Sequence, residues 1–281
     1  MTIETSDGNN DVATFYNGTG TVPLAGKLRS MWGGNLHLGY WHDTDDDTPP
    51  DVATERLTDL VITCLEPKPG QRLLDIGCGV GKPATRLLTT HPVQVVGITI
   101  SEAQVDQARA RAADSGLADR ARFEHADAML MPFPDASFDG AWALESMFHM
   151  PDRAQVLAET SRVLRGQSRL AITDFVLRTP LGTAGKAVVD RMCATFGIHS
   201  ISTLDEYVEQ LGAHDFAVTN VRDISDNVLR TGILLADAME SVREQLVANG
   251  NATEVDAMIN ATREFATTAE FGYVIISAVR N

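Results

Sequence analysis

Cysteine is scarce. Three residues, Cys64, Cys78 and Cys193, are too few and too scattered for a disulfide framework or a four-ligand zinc site. A reducing, cytoplasmic setting is therefore expected. Positive charge is scarce too, with 23 Lys and Arg against 38 Asp and Glu and a formal net charge of -15. Such a surface repels phosphate backbones and anionic headgroups, so nucleic acid and membrane are not expected partners. No stretch approaches the apolar length of a membrane span, and the start, MTIETSDGNNDVATFY, lacks the basic-then-apolar pattern of a secretory leader. Repeats and low-complexity tracts are absent as well. What is present is core material: 281 residues with 44% hydrophobic and 22% charged content suffice for one large domain or two small ones.

Residues 1–52 read as an amino-terminal segment, polar at first and then richer in aromatics and glycine up to Asn35-Leu36-His37-Leu38-Gly39-Tyr40-Trp41. The acidic run Asp43 to Asp51, with Pro49-Pro50, predicts a solvated loop before the first helix. From Ala53, the residues Leu57, Leu60, Val61 and Leu65 recur at helical spacing until Pro67-Lys68-Pro69-Gly70 stops them. Strands at 72–76, 93–100, 121–126, 138–143 and 169–175 then alternate with helices at 83–90, 101–115 and 152–164. The strands are near-continuous apolar runs, as in a parallel sheet covered on both faces. Beyond Phe175, helices at 186–196 and 203–211 with no strand between them predict a helical cap, at about 180–214, over the strand ends. A strand at 217–224, one helical stretch at 233–265 and a final strand at 272–279 complete the pattern. The expectation is an α/β, Rossmann-like doubly wound seven-stranded sheet spanning 53–281, with ligands at the carboxyl ends of its strands.

Leu73-Leu74-Asp75-Ile76-Gly77-Cys78-Gly79-Val80-Gly81 sets three glycines between a buried strand and a helix, where bare backbone can approach a ligand. A dinucleotide fingerprint would place another glycine where Lys82 stands. The second strand also ends in Gly97-Ile98-Thr99-Ile100, without the carboxylate that holds a ribose. An NAD-dependent oxidoreductase is disfavoured on both counts; a cofactor-binding protein without catalysis is a third class.

Asp75-x-Gly77-x-Gly79-x-Gly81, His125-Ala126-Asp127-Ala128 and Asp135-Ala136-Ser137-Phe138-Asp139 together resemble the class I S-adenosylmethionine-dependent methyltransferases. Gly77 to Pro83, Asn35 to Trp41, Ala143-Leu144-Glu145-Ser146 and Thr173-Asp174-Phe175 are similar to natural-product members such as the rebeccamycin sugar and rifamycin O-methyltransferases. The resemblance runs from about Phe15 to the end. It implies S-adenosylmethionine as cofactor, no metal, a small-molecule acceptor and an amino-terminal helical lid, and it leaves self-association into a homo-oligomer open. It assigns the cofactor to Asp75, Gly77, Gly79 and Leu144, with Asp127 and Ala128 at the adenine and Thr99 and Gln104 in place of the ribose carboxylate. Leu164-Arg165-Gly166-Gln167-Ser168 departs from the proline and two glycines usual in the family, which predicts an altered turn.

Methyl transfer disperses the positive charge of a sulfonium, so a dry pocket that aligns nucleophile and methyl is already a good catalyst. A base matters where the nucleophile must shed a proton. Leu144 to His149 should face the methyl group. Sugar O-methyltransferases resemble this stretch but carry two successive histidines, and Phe148 stands where the first would be. Geranyl diphosphate C-methyltransferases have a similar Glu-Ser-x-Met-aromatic stretch with the glutamate as base. Glu145, His149 and Asp174 are therefore the catalytic candidates, and an electron-rich carbon of indole or prenyl type is favoured over a sugar or phenolic hydroxyl. Plainer roles stand beside these: Glu145 as a structural or cofactor-facing residue, His149 as a residue that fixes its loop. Tyr16, Trp32, His37 and Phe148 are candidate acceptor contacts, Phe148 through cation-π attraction and Trp32 with core packing as the alternative. His42, His91, His125, His199 and His214 have no ligand spacing and read as solvent-facing.

Overall fold

The computed structural model describes residues 31–248 and 251–281. Tyr16 lies outside them. Eight strands form one sheet: β1 (Arg72–Ile76), β2 (Gln94–Thr99), β3 (Ala121–His125), β4 (Phe138–Leu144), β5 (Leu164–Leu177), β6 (Ser202–Thr203), β7 (Phe216–Asp223) and β8 (Phe271–Arg280). Seven of them run in the order β3-β2-β1-β4-β5-β8-β7, and β6 pairs with β5. Pairs among β1 to β5 are parallel, whereas β8 inserts antiparallel between β5 and β7. The order reverses direction at β1, whose carboxyl end is thus a crevice between diverging crossovers.

Helices α1 (Pro50–Leu65), α2 (Lys82–Thr90), α3 (Glu102–Asp114), α4 (Arg153–Val163), α5 (Thr183–Phe196), α6 (Leu204–Ala213), α7 (Ser225–Ser241), α8 (Arg243–Ala248) and α9 (Ala252–Thr267) flank it. Serine and aspartate set two of the starts, Ser101 accepting from the Gln104 N–H and Asp152 from the Gln155 N–H. The sheet separates two apolar layers. Leu74, Ile76, Ala143, Leu157 and Ile172 lie in one; Leu73, Leu87, Val95, Val105 and Trp142 lie in the other. Alternate residues of each strand therefore feed opposite cores, as burial on both faces requires. No helix among the described residues is long and apolar enough to cross a membrane.

Several expectations are corrected. The first helix starts at Pro50, because proline is preorganised for the first turn and Asp51 complements the helix dipole there, so the acidic run ends inside the helix. The altered turn at 166–167 is a bulge within β5. Phe138 pairs with Leu164 and Gly140 with Arg169, and Gln167 takes the left-handed conformation with φ 64°. The stretch between β7 and β8 is three helices, broken at Val242 and restarted where Asn251 caps α9. Between the two helices of the expected cap lies the short strand β6, and α6 is an ordinary covering helix whose Tyr207 and Leu211 sit in the main core. Residues 32–49 of the amino-terminal segment are an irregular strap, and residues 1–30 of the expected lid lie outside the described residues.

The strap is held by backbone groups it could not satisfy alone. The Gly39 N–H donates to Thr231 Oγ1 at 3.0 Å, the Tyr40 N–H to the Ala53 carbonyl at 2.9 Å and the Trp41 N–H to the Asn227 carbonyl at 2.9 Å. It thus lies clasped between α1 and α7.

Candidate active site

At the carboxyl end of β1 the three glycines do three different things. A Cβ on Gly77 would stand 2.3 Å from the Ser146 Cβ, so the first glycine lets β1 and the end of β4 meet. A Cβ on Gly81 would stand 2.8 Å from the Ala108 Cβ, so the third seats α2 against α3. Gly79, at φ 51°, meets nothing nearer than Leu36 of the strap at 3.6 Å and lines an open cleft. Gly77 and Gly79 both line the cleft, and at Gly79 the missing side chain is what leaves the space open.

The cleft lies at the carboxyl ends of β1, β2 and β4, with the loop after β3 and the strap at its sides. Asp75, Gly77, Gly79, Thr99, Gln104, Asp127, Ala128 and Leu144, the eight residues assigned to the cofactor, all line it. Thr99 Oγ1 donates to Gln104 Oε1 at 2.8 Å, which fixes both side chains at the wall between β2 and α3. Asp127 Oδ1 accepts from the Met129 N–H at 2.8 Å, turning the loop after β3 into the opposite wall. Asp75 is almost fully buried, and its Oδ2 has no hydrogen-bond partner. Burial pushes its carboxyl up to about 7; the indole of Trp142, across from it on β4, offsets this in part although its N–H makes no bond of normal geometry. An orphaned carboxylate oxygen beside an uncovered glycine backbone suits a ligand with a cationic ammonium end, as S-adenosylmethionine has.

Beyond the glycine turn, β4 delivers Glu145 and a short 3-10 turn, Met147–His149. Glu145 itself is left-handed, with φ 52°. Such backbone is uncommon for a residue with a Cβ and is held here by the surroundings. Its Oε1 accepts from the Tyr273 hydroxyl at 2.6 Å and from the Leu38 N–H at 2.8 Å, so one oxygen ties β8 and the strap to the end of β4. Burial raises the Glu145 carboxyl to about 7 against the pull of these two donors. His149 also lines the cleft. Its Nδ1 lies 2.7 Å from the Gly197 carbonyl, which can only accept; the proton is therefore on Nδ1 and the basic lone pair on Nε2. Burial lowers this imidazole to about 4, so it is neutral at physiological pH.

His37 reaches the cleft from the strap, but its Nδ1 bonds the Leu38 carbonyl at 2.8 Å and its Nε2 the Thr58 hydroxyl at 3.1 Å. It is a wall, not a base. Three expected site residues lie elsewhere. Trp32 packs with Ala236, Met239 and Met258 of the helices between β7 and β8, the plainer of its two readings. Phe148 does not line the cleft; its ring lies tilted against His149 at 4.3 Å and Phe175 at 5.0 Å, within an apolar cluster shared with α5. Asp174 is fully buried near the end of β5, where Tyr207 Oη donates to its Oδ2 at 2.9 Å and Arg153 Nη2 lies 3.6 Å away. The long β5 carries the chain past this point before it ends, so Asp174 belongs to the interior and not to the mouth. His199, expected in solvent, is buried, and its N–H donates to the Phe148 carbonyl. None of the residues lining the cleft comes from 180–214.

Tyr273, Leu36, Leu38 and Gly197 were not expected at the site. Three of them act through backbone groups or an aliphatic side chain, which leave no motif, and Tyr273 arrives from the last strand only because β8 inserts beside β5.

The chain matches a family model described as a methyltransferase domain over residues 74–172. It is 40% identical, over 93% of its own length and 95% of the relative's, to 27-O-demethylrifamycin SV methyltransferase of Amycolatopsis mediterranei (strain S699). Among solved structures the [4+2]-cyclase SpnF aligns with a TM-score of 0.83 at 30% identity, covering 97% of this chain and 96% of that one. Geranyl diphosphate C-methyltransferase from Streptomyces coelicolor A3(2), solved with S-adenosyl-L-homocysteine, shares the fold with a TM-score of 0.76 at 19% identity, covering 99% and 100%.

Proposed function

The chain belongs to the S-adenosylmethionine-dependent methyltransferases of natural-product biosynthesis, and on that premise we propose that its acceptor group is a hydroxyl of a small secondary metabolite, whose proton His149 takes. The carrying observation is the tautomer: a neutral imidazole in the cleft wall, pinned through Nδ1 and basic at Nε2. The full-length relative named for 27-O-demethylrifamycin SV as its acceptor supports a hydroxyl over a carbon.

S-adenosylmethionine supplies an electrophilic methyl on a sulfonium. When bound, the cofactor would be held at its cationic amino-acid end by Asp75 beside the backbone of Gly79, at its ribose by Thr99 with Gln104, and at its adenine by Asp127 with the Ala128 backbone, all of which line the cleft. Leu36 and His37 close the cleft from the strap and keep water from the reacting centre. His149 Nε2 accepts the hydroxyl proton as the oxygen becomes a nucleophile. Glu145 keeps the strap in place through the Leu38 N–H.

A second reading has Glu145 remove a proton after attack by an electron-rich carbon. Its carboxyl, raised to about 7, is matched to such work at neutral pH. Single-turnover rates with cofactor prebound, over a panel of natural-product acceptors, separate the two. For a hydroxyl acceptor, His149→Ala should lose roughly 10²- to 10⁴-fold and Glu145→Gln much less. For a carbon acceptor the order reverses. The methyl carbon's NMR shift in the product reports the atom methylated independently. Tight S-adenosyl-L-homocysteine binding without methylation of any acceptor would count against both readings.

A further inference from the structure

Asp174, Arg153 and Tyr207 make a buried polar cluster that the reaction itself does not use. All three are nearly or wholly inaccessible. Asp174 accepts from the Tyr207 hydroxyl at 2.9 Å and from the Phe175 N–H at 2.7 Å. The Arg153 guanidinium lies 4.4 Å over the Tyr207 ring, with Nη2 3.6 Å from Asp174 Oδ2. A buried ion pair of this kind is weak grounds for stability, since desolvation offsets the attraction, and Arg153 Nε lacks any partner. What apolar side chains of the same volume could not supply is direction. Arg153 aims Nη1 at Ser202 Oγ at 2.7 Å and Nη2 at the Ser200 carbonyl at 3.3 Å, both in the segment 197–203 that links α5 to α6.

That segment is in contact with the site. From its first residue the Gly197 carbonyl accepts from His149 Nδ1, and the His199 N–H donates to the Phe148 carbonyl at 2.7 Å. At its far end Ser202 and Thr203 pair as β6 with Val176 and Leu177 of β5, two and three residues beyond Asp174. The segment thus has one end on the candidate base and the other on the buried cluster. We infer that Arg153, oriented by Asp174 and Tyr207, is a positioning residue that holds the 197–203 segment so that the Gly197 carbonyl selects the tautomer of His149 with its basic lone pair on Nε2.

This inference rests on the reading of His149 as the proton acceptor, and the experiment separates the two. Nitrogen-15 imidazole shifts, with the His149 signal assigned by its absence in His149→Ala, report the tautomer directly. Arg153→Met and the milder Ser202→Ala remove the hold on the segment; Tyr207→Phe keeps the ring under the guanidinium and removes only the hydroxyl. Each should leave S-adenosyl-L-homocysteine affinity within about twofold. Each should also shift His149 towards a mixture of tautomers and lower the single-turnover rate, by roughly ten- to a hundredfold for Arg153→Met if the loss matches that of outer partners of metal-binding histidines. Arg153→Lys, which keeps the charge and one donor, should restore part of the rate. If Ser202→Ala and Tyr207→Phe fold and bind cofactor as the parent does while tautomer and rate stay unchanged, the positioning role is wrong even where His149→Ala is inactive. If His149→Ala keeps the parent rate, the reading of the base fails, and the tautomer shifts alone then decide whether the cluster sets the imidazole.

Discussion

The Tyr273 hydroxyl and Glu145 Oε1 lie 2.6 Å apart, joining the last strand of the chain to the end of the central one, and the Leu38 N–H shares the same oxygen at 2.8 Å. Both donors favour the ionised carboxylate, whereas burial opposes it and wins, leaving the group at about 7. In Tyr273→Phe one of the two opposing donors is gone, so the carboxyl should titrate at still higher pH. A protonated Glu145 holds the strap less firmly, and the strap forms one wall of the cleft. Affinity for S-adenosyl-L-homocysteine should therefore weaken as pH falls through about 7 in the parent. The weakening should begin at higher pH in the variant. Calorimetric titrations across neutral pH test this; superimposable curves for the two proteins would refute it.

Asp75 offers a sharper opposition between stability and function. Its folded-state value of about 7 stands above the ordinary 3.8, so the folded protein binds more protons than the unfolded chain between these values. Stability from this group is full below about 3.8, falls as pH rises to about 7, and stays low above it. Asp75→Asn removes the buried charge. It should raise the thermal midpoint in mildly alkaline buffer, by an amount equivalent to at most about 4 kcal/mol, and the gain should vanish in acid. The same substitution should abolish the attraction for the cofactor's ammonium. A variant that is no more stable at alkaline pH, or that binds S-adenosyl-L-homocysteine as well as the parent, would contradict the assignment.

The glycine turn allows a steric test. Gly77→Ala should destabilise the fold strongly, because its Cβ would meet the Ser146 Cβ at 2.3 Å and its φ is 75°. Ser146→Gly in the same chain should recover the part due to the collision, though not the backbone strain. Gly79→Ala meets ordinary van der Waals distances and should cost only about 1 kcal/mol for its left-handed conformation. Its Cβ points into the cleft, however, so cofactor affinity should drop out of proportion to stability. Denaturation midpoints and calorimetry on the four proteins would show whether the two glycines divide in this way.

Sequence periodicity located the sheet well because β1, β2, β4 and the 170–177 stretch of β5 are almost wholly buried apolar runs, while the edge strand β3 is only partly buried. Alternation also placed the glycine turn at a strand end, while Thr99, Gln104 and Asp127, assigned through the family resemblance, line the same cleft as Gly79. It failed at Asp174. Nothing local distinguishes a carboxylate at a strand's end from one a few residues short of it, and β5 runs on to Leu177. Of the two cap helices, α5 packs on Phe175 and Leu177 at the end of β5, whereas the apolar stripe of α6 is the same whether it covers strand ends or the sheet face, and Tyr207 and Leu211 choose the face. Long-range backbone contacts such as Leu38 to Glu145, or Gly197 to His149, have no signature in side-chain pattern and became visible only with the fold.

The clasp on the strap is the last test. Thr231 on α7 is buried, and its Oγ1 accepts from the Gly39 N–H at 3.0 Å. Gly39 is itself enclosed: a Cβ there would come within 2.6 Å of Trp41 and 2.9 Å of Ala53, so water has little room to replace the hydroxyl. Thr231→Val keeps the shape and removes the acceptor, stranding a buried N–H at a cost of about 1 to 3 kcal/mol. The sheet does not depend on this bond, so the loss should appear as local opening of residues 36–41 and not as a large fall in the global midpoint. Amide exchange at Gly39 and Tyr40 should accelerate by roughly five- to a hundred-and-fiftyfold, each 1.4 kcal/mol by which opening becomes cheaper being worth about a factor of ten. Because Leu36 and His37 form part of the cleft wall, S-adenosyl-L-homocysteine should also leave faster while its association rate changes little. Equal acceleration of exchange throughout the chain would mean that the strap is part of the global fold, and an unchanged dissociation rate would mean that it does not retain the cofactor.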